Sequence, residues 1–333
     1  PGQVTPDEDS EELKLIAAEG IRHEKRFLAS LQSEGHTVTT IEQTSESRQN
    51  TRDSIDRGDS LIFQAHLAHG SFAGYADFLS VADEGSCTYE VWDTKLARSA
   101  KPHYLIQLCC YAEMLEGMGY TLPETLRLVL GNDETHIFRT ADYFFAYVEA
   151  KRAFLSQMDS FDPADAPTPD PRADHGRWAS HAERELVTSD HLVQVAGIST
   201  GQIKKLQDSG ITTFTALAET TLTSIPKLHP DIFARLREQA RLQVKTRQRQ
   251  AATPSPIKPS FEVLAQPGEG IPQGLELLPP ASPNDIFFDL EGYPLAEGGQ
   301  GLEYLFGATH LTDGTPQFAD WWAHNPTQEQ VAF

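Results

Sequence analysis

Three strand-like runs follow one another between Ser60 and Lys95, and a helix and two further strands follow them. SLIFQAHL (Ser60 to Leu67), GYADFLSV (Gly74 to Val81) and CTYEVWDTK (Cys87 to Lys95) carry the aromatic and branched residues that suit a pleated, half-buried surface. DEGS (Asp83 to Ser86) reads as the turn between the last two. From Pro102 to Met118 the pattern turns helical, and Pro102 suits a first helical turn. LRLVLG (Leu126 to Gly131) and THIFRT (Thr135 to Thr140) read as strands, and Asp142 to Met158 as a helix. Upstream, Leu13, Ile16, Ala17, Gly20, Phe27, Leu28 and Leu31 predict a helix over 11–34, ended by SEGHT (Ser33 to Thr37). TVTTIE (Thr37 to Glu42) predicts a short strand. Helix, three strands, helix, two strands and helix make an α/β unit over 1–160, with helices covering a central mixed sheet.

DPADAPTPDPRAD (Asp162 to Asp174) is rich in Pro and Asp and begins a linker over 161–187. A small all-α unit is expected over 188–250. It holds a near-repeat thirty residues apart: Val195, Ile198, Ile203 and Leu206 match Ile225, Leu228, Phe233 and Leu236. Each half reads as a short hairpin feeding a helix. Arg235, Arg237, Arg241, Lys245, Arg247 and Arg249 then cluster against Glu238 alone, a local reversal of sign in a chain of net charge −21. A proline-rich linker over 251–284 leads to 285–333, with strands at NDIFFDLEGYP (Asn284 to Pro294), EYLFGATHL (Glu303 to Leu311) and PQFADWWA (Pro316 to Ala323).

With 48 acids against 27 bases, the chain does not read as a general nucleic-acid coat, although a site that meets phosphate through metal ions stays open. The three cysteines, Cys87, Cys109 and Cys110, form no disulfide framework, and Cys109 and Cys110 read as buried small hydrophobes in the helix. No CxxC zinc spacing, signal peptide or long apolar run occurs, so a cytoplasmic protein without a membrane segment is expected. The opening at Pro1 rather than Met implies a preceding piece. No Gly-rich phosphate loop or nucleophile elbow points to a metabolic α/β enzyme.

Side chains alternate along a strand, so Val91, Asp93 and Lys95 share one face and Glu90, Trp92 and Thr94 the other. A hairpin would bring Asp77 beside Asp93. Two adjacent carboxylates repel unless a cation separates them, and hard oxygens suit Mg²⁺ or Mn²⁺. Lys95 would then stabilise developing negative charge. Strand-end acids with an exposed ion pair give the same residues a bland reading. On the first helix Glu24 falls on the apolar face, with His23 at its edge, and a buried Glu needs a partner. Gln107 and Tyr111, four apart on the later helix, share a face and could reach a phosphate or buttress Lys95; ordinary half-buried polar residues would look the same.

GIRHEKRFL (Gly20 to Leu28), GYADFL (Gly74 to Leu79), YEVWDTK (Tyr89 to Lys95) and QLCCY (Gln107 to Tyr111) resemble, in order and spacing, the RecB-like branch of the PD-(D/E)XK nucleases. The resemblance implies a restriction-endonuclease-like fold. It also implies a Mg²⁺ or Mn²⁺ site from His23, Asp77 and Asp93, with the Thr94 backbone carbonyl as a further ligand. Lys95 would be catalytic, and Gln107 and Tyr111 would lie beside the substrate strand; Glu24 is an added candidate ligand. DHLVQVAGIS (Asp190 to Ser199) and FFDLEGYP (Phe287 to Pro294) extend the likeness to a subfamily that carries a helix-hairpin-helix-like segment and an RNase H-like exonuclease domain after the nuclease, some members being joined to a superfamily 1 helicase. Gly197, Arg235, Arg241 and Lys245 would then contact nucleic acid, though a plain helical spacer fits the same segment. Asp289 and Glu291 would be metal candidates of an incomplete, inactive second nuclease unit. Relatives often carry a cysteine cluster before the DHL segment; PDPRADHGRWASHAERE (Pro169 to Glu185) has none, so no iron–sulfur cluster is expected. His175 and His181 there read as ordinary loop histidines. The expected function is metal-dependent hydrolysis of DNA, single-stranded or at duplex ends, in repair, recombination or defence against foreign DNA. The alternative is an inactive nucleic-acid-binding platform for a helicase.

Overall fold

The computed structural model of the chain describes residues 4–82, 88–162, 164, 168–263, 274–294, 296 and 301–333. The expected turn at Asp83 to Ser86, and Cys87, lie outside the described residues. The chain divides into two compact units, Ser10–Phe161 with Pro280–Phe333, and Asp162–Pro279 with Pro1–Asp9.

In the unit that starts at Ser10, the Ser10 hydroxyl accepts the Leu13 N–H at 3.1 Å and starts α1 (Glu11–Ser33). A six-stranded mixed sheet follows in the order β1 (Val38–Thr40), β2 (Leu61–His69), β3 (Phe72–Val81), β4 (Tyr89–Lys95), β5 (Thr125–Leu130) and β6 (Thr135–Arg139). β2, β3 and β4 form an antiparallel meander, β1 and β5 pair parallel to β2 and β4, and β6 closes antiparallel on β5. Parallel neighbours need crossover connections, and α2 (Ser47–Arg57) and α3 (Pro102–Gly117) supply them. α4 (Thr140–Asp159) follows β6.

α2 has no counterpart in the sequence expectations. SRQNTRDSIDR shows no apolar stripe; Ile55 anchors it, while Ser47, Thr51 and Ser54 are buried through their small size. Two apolar clusters hold the sheet. The larger gathers Ile62, Ala65, Leu67, Ala76, Leu79 and Val91 with Leu108, Cys109 and Leu115 of α3 and Tyr147 of α4. The smaller sets Leu31, with Phe27 and Leu28, against Leu61, Phe63, Phe78 and Trp92. Only the second half of α1 is so engaged; Leu13 and Ile16, expected on its buried face, are exposed. Cys109 is buried and Cys110 half-buried.

A separate antiparallel sheet runs β7 (Ile286–Tyr293), β8 (Leu302–Thr312), β9 (Thr315–Trp322), followed by α9 (Pro326–Ala332).

In the other unit, the expected linker over 161–187 contains a helix, α5 (Ala179–Thr188), which buries Ala182 and Leu186. α6 (Thr200–Asp208), α7 (Phe214–Glu219) and α8 (Pro230–Ala251) share one core with Val195, Ile225 and Leu228. The thirty-residue repeat extends into backbone conformation. Gly197 and Lys227 occupy matching turns at φ +76° and +61°. Ser199 and His229, again thirty apart, are the N-caps of α6 and α8.

Candidate active site

The β3–β4 ladder runs from Val81–Tyr89 to Phe78–Trp92. One step further along stand Asp77 and Asp93. The Thr94 N–H and Thr94 Oγ1 each donate to Asp77 Oδ2 at 2.7 Å. Asp93 is buried at 1% exposure, and Lys95 Nζ lies 2.6 Å from its Oδ2. That oxygen receives no well-directed hydrogen bond, so the contact is an ion pair. Lys95 also sits 5.6 Å from the centre of the Tyr104 ring. Glu90 turns away, accepting from Arg127 Nε at 2.7 Å and Trp92 Nε1 at 3.2 Å.

Burial, followed by repulsion from Asp77, raises the Asp93 carboxyl above the usual carboxylate range. Burial raises Asp77 too, against the two bonds from Thr94. Burial also opposes the charge of Lys95, but Asp93 outweighs it and the ammonium is held above its ordinary pKa.

On α1 the expected burial of two neighbours is reversed. His23, placed at the edge by the helical pattern, is buried at 1%, whereas Glu24 is half-buried. His23 Nδ1 faces Arg26 at 3.1 Å, and Nε2 is buried without a hydrogen-bond partner. Burial and then the Arg26 guanidinium depress its pKa, which favours neutral imidazole. The Glu24 carboxylate accepts from the Gln64 amide. Burial, then Asp77, pushes its pKa up to about 7.

On α3, Gln107 Nε2 donates to the Tyr111 hydroxyl at 3.2 Å. Burial raises the Tyr111 pKa, with Asp93 and Asp77 adding to it. The Tyr111 ring lies over Gly74, where a Cβ would meet it at 3.0 Å. The glycine of GYADFL thus leaves room for the tyrosine of QLCCY.

A buried carboxylate whose pKa is raised by a half-buried carboxylate beside it forms with that neighbour a pair that a cation would relieve. Mg²⁺ is often bound by one or two carboxylates, with water and substrate phosphate completing the shell. Asp77 and Asp93 meet that need, with Glu24 within electrostatic reach. The Lys95 ammonium supplies part of the positive charge in its place. The three-residue set of His23, Asp77 and Asp93 is not assembled, because among the described residues no three His, Cys, Asp or Glu side chains are grouped to hold a metal. Thr94 engages Asp77 through its N–H and hydroxyl, and the carbonyl expected as a ligand takes no part in either bond.

The other candidates are dispersed. Gly197, Arg235 and Lys245 are exposed. Arg241, expected to track a phosphate backbone, is instead held by Glu238 at 2.5 Å and by Glu262. Arg247 pairs with Asp190 at 3.3 Å and lies 4.7 Å from the Phe214 ring centre. Asp289 and Glu291 are exposed on β7, beside a bulge between Glu291 and Gly292, and Asp289 Oδ1 accepts the Leu290 N–H at 2.9 Å. Sequence reasoning missed Gln64 and Tyr104. Tyr104 carried a usable signal, lying one helical turn before Gln107 on α3.

The acid cluster carries a pH signature. A raised carboxyl keeps in the folded state a proton that the unfolded chain has released, so stability present at low pH is lost as pH climbs from about 4.5 to about 7. Glu24 should account for roughly 1–2 kcal/mol of this loss, less than the full linkage value because water reaches it. Urea unfolding in EDTA at pH 5 and 7.5 measures it. A profile that is flat or rises over this window would refute the electrostatics described.

Comparison with protein-family models, with curated proteins and with solved structures yields no match for this chain.

Proposed function

We propose that the chain is a metal-dependent nuclease that hydrolyses phosphodiester bonds in DNA. The observation that carries this reading is the juxtaposition of half-buried Asp77 and buried Asp93 one step beyond the β3–β4 ladder, with Lys95 2.6 Å from Asp93. The helix, three-strand meander, crossover helix and parallel strand agree with a restriction-endonuclease-like core. On this reading the hairpin-and-helix repeat of 188–250 is helix-hairpin-helix-like, and the three-stranded sheet begins an RNase H-like domain. A helicase partner, and a place in repair, recombination or defence, follow from the same resemblance.

Asp77 and Asp93 would hold Mg²⁺ or Mn²⁺. The ion, when bound, activates water and neutralises the phosphate. Lys95 would turn its ammonium from Asp93 to the oxygen on which charge develops. Thr94 fixes the Asp77 carboxylate through two bonds and so limits its rotation. Gln107 and Tyr111, already hydrogen-bonded to each other, present an amide and a phenol to the neighbouring phosphate.

Purified protein incubated with single-stranded and duplex DNA and RNA, in Mn²⁺, Mg²⁺ or EDTA, tests the reading. Cleavage should require metal and prefer DNA, and Lys95→Ala should slow it by about 10²–10³-fold, the usual cost of losing one charge-stabilising donor. Cleavage that persists in EDTA or in Lys95→Ala rejects the site. Binding without metal-dependent cleavage would instead favour the inactive platform.

A further inference from the structure

A groove of about 520 Å³ runs between α3 and α4, and Phe72 at the start of β3 also lines it. Helical spacing builds both of its walls. On α3, Ile106 and Cys110 are four apart, as are Gln107 and Tyr111, so the four make one stripe. On α4, Tyr147, Lys151 and Phe154 fall at i, i+4 and i+7 and make another. Tyr147 is buried, whereas Ile106 and Phe154 remain exposed, Phe154 at 52%. Glu113 accepts from the Tyr147 hydroxyl at 2.6 Å and from Lys151 Nζ at 2.5 Å, and so fixes a ring and a cation of the α4 wall. Lys151 Nζ also lies 5.5 Å from the Phe72 ring centre.

The groove begins where the acid pair ends. Gln107 and Tyr111 line it, and the Tyr111 ring also lies over Gly74, three residues before Asp77 on β3. Lys95 Nζ is 5.6 Å from the ring centre of Tyr104, one helical turn before Gln107. A strand whose phosphate meets Asp77, Asp93 and Lys95 therefore has apolar, aromatic surface within reach of its neighbouring base. Every base has a π face, so stacking on such rings is tolerant of sequence. The Lys151 ammonium and the Gln107 amide add donors to which the carbonyl oxygens of bases are complementary.

We propose that this groove takes one nucleobase of the substrate strand, next to the phosphate at the acid pair, so that the site acts on single-stranded rather than paired DNA. A paired base would first have to leave its stack, at a cost in free energy, whereas a base in a single strand has no pairing to break. The assignment rests on the nuclease reading and goes beyond it by naming the strandedness of the substrate and the surface that selects it.

Fluorescence anisotropy with fluorescein-labelled oligothymidylate in EDTA, and cleavage of the same oligonucleotide in Mn²⁺, provide the test. Phe154→Ala should weaken binding about tenfold, within the cost of losing one stacked base. It should raise KM similarly and leave kcat nearly unchanged, because the contact is made equally before and during the reaction. Phe154→Trp should restore binding. Phe145→Ala, on the same helix but outside the groove, should bind as the parent does. On an oligomer of abasic sugar-phosphate units the parent should bind more weakly, and Phe154→Ala should add no further loss. Melting temperatures confirm that each variant is folded, as expected for exposed positions. Binding of Phe154→Ala within about twofold of the parent overturns the assignment, as does an equal loss on the abasic oligomer. If the parent neither binds nor cleaves nucleic acid, the nuclease reading falls with it. If the parent cleaves with Mn²⁺ and Phe154→Ala is neutral, the groove alone is wrong.

Discussion

Asp93→Asn is expected to slow metal-dependent cleavage by on the order of 10³-fold and, in the same protein, to raise the melting temperature of the metal-free form at pH 7.5. The two effects have one origin. Asp93 is buried beside Asp77 and within reach of Glu24, with Lys95 as its ion-pair partner. Near neutral pH the negative charges outnumber the positive one, and burial penalises each of them. Asparagine keeps the shape and removes one charge. Lys95 is not stranded, because Asp77 also supports its charge. The expected gain is on the order of 1 kcal/mol, a few degrees in melting temperature, and it should shrink at pH 5 where the carboxyls take up protons. Cleavage loses a ligand for the ion, several kcal/mol of transition-state stabilisation and on the order of 10³-fold in rate. Scanning calorimetry in EDTA, beside the cleavage assay, reads both. A lower melting temperature for Asp93→Asn would show that the acids are well compensated without metal.

Gly131→Ala, in the turn directly after β5, should be among the most disruptive single-methyl additions. A Cβ at Gly131 would lie 2.2 Å from the Leu96 carbonyl oxygen and 2.8 Å from its carbonyl carbon. Both are backbone atoms and cannot swing aside. The Gly131 N–H meanwhile donates to the Ala97 carbonyl at 3.1 Å, so the two segments cannot part without losing that bond. Overpacking of this kind costs about 1–3 kcal/mol. Leu96 directly follows Lys95, so the displacement reaches the ammonium, and a shift of about 1 Å can cost on the order of 10²-fold in rate. Gly20→Ala is the control: it lies within α1, nothing stands within 4 Å of its added Cβ, and alanine favours a helix by up to about 1 kcal/mol. Urea unfolding and cleavage rates compare the two. Gly131→Ala with parental stability would mean that Leu96 yields freely.

Much of the site was legible because β4 obeys strand alternation. Asp93 and Lys95 emerge on one face and Glu90 on the other, as the residue order predicts. The meander and the α3 crossover were legible from apolar runs bounded by turn residues. α2 was not, because it is buried through serine and threonine, which carry no apolar period. His23 and Glu24 exchanged burial because adjacent helical residues point about 100° apart, and a small error in helical phase swaps them. The left-handed conformation of Gln64 within β2, at φ +58°, has no local signature, since it is selected by tertiary partners. Arg241 was read from its neighbours on α8, but one of its acids, Glu262, lies 21 residues away.

The paired turns at Gly197 and Lys227 show what the two halves of the thirty-residue repeat share and where they differ. The path of the chain is kept: the same left-handed step, the same cap two residues later, the same entry into a helix. The side-chain code at the step is not kept, and only one copy uses the residue that makes the step inexpensive. Symmetry therefore persists in the backbone of this small unit while its electrostatics are lopsided, with a cation at one of two otherwise equivalent corners. Alignment of the two halves by residue type would understate a likeness that the backbone torsions at these turns make plain.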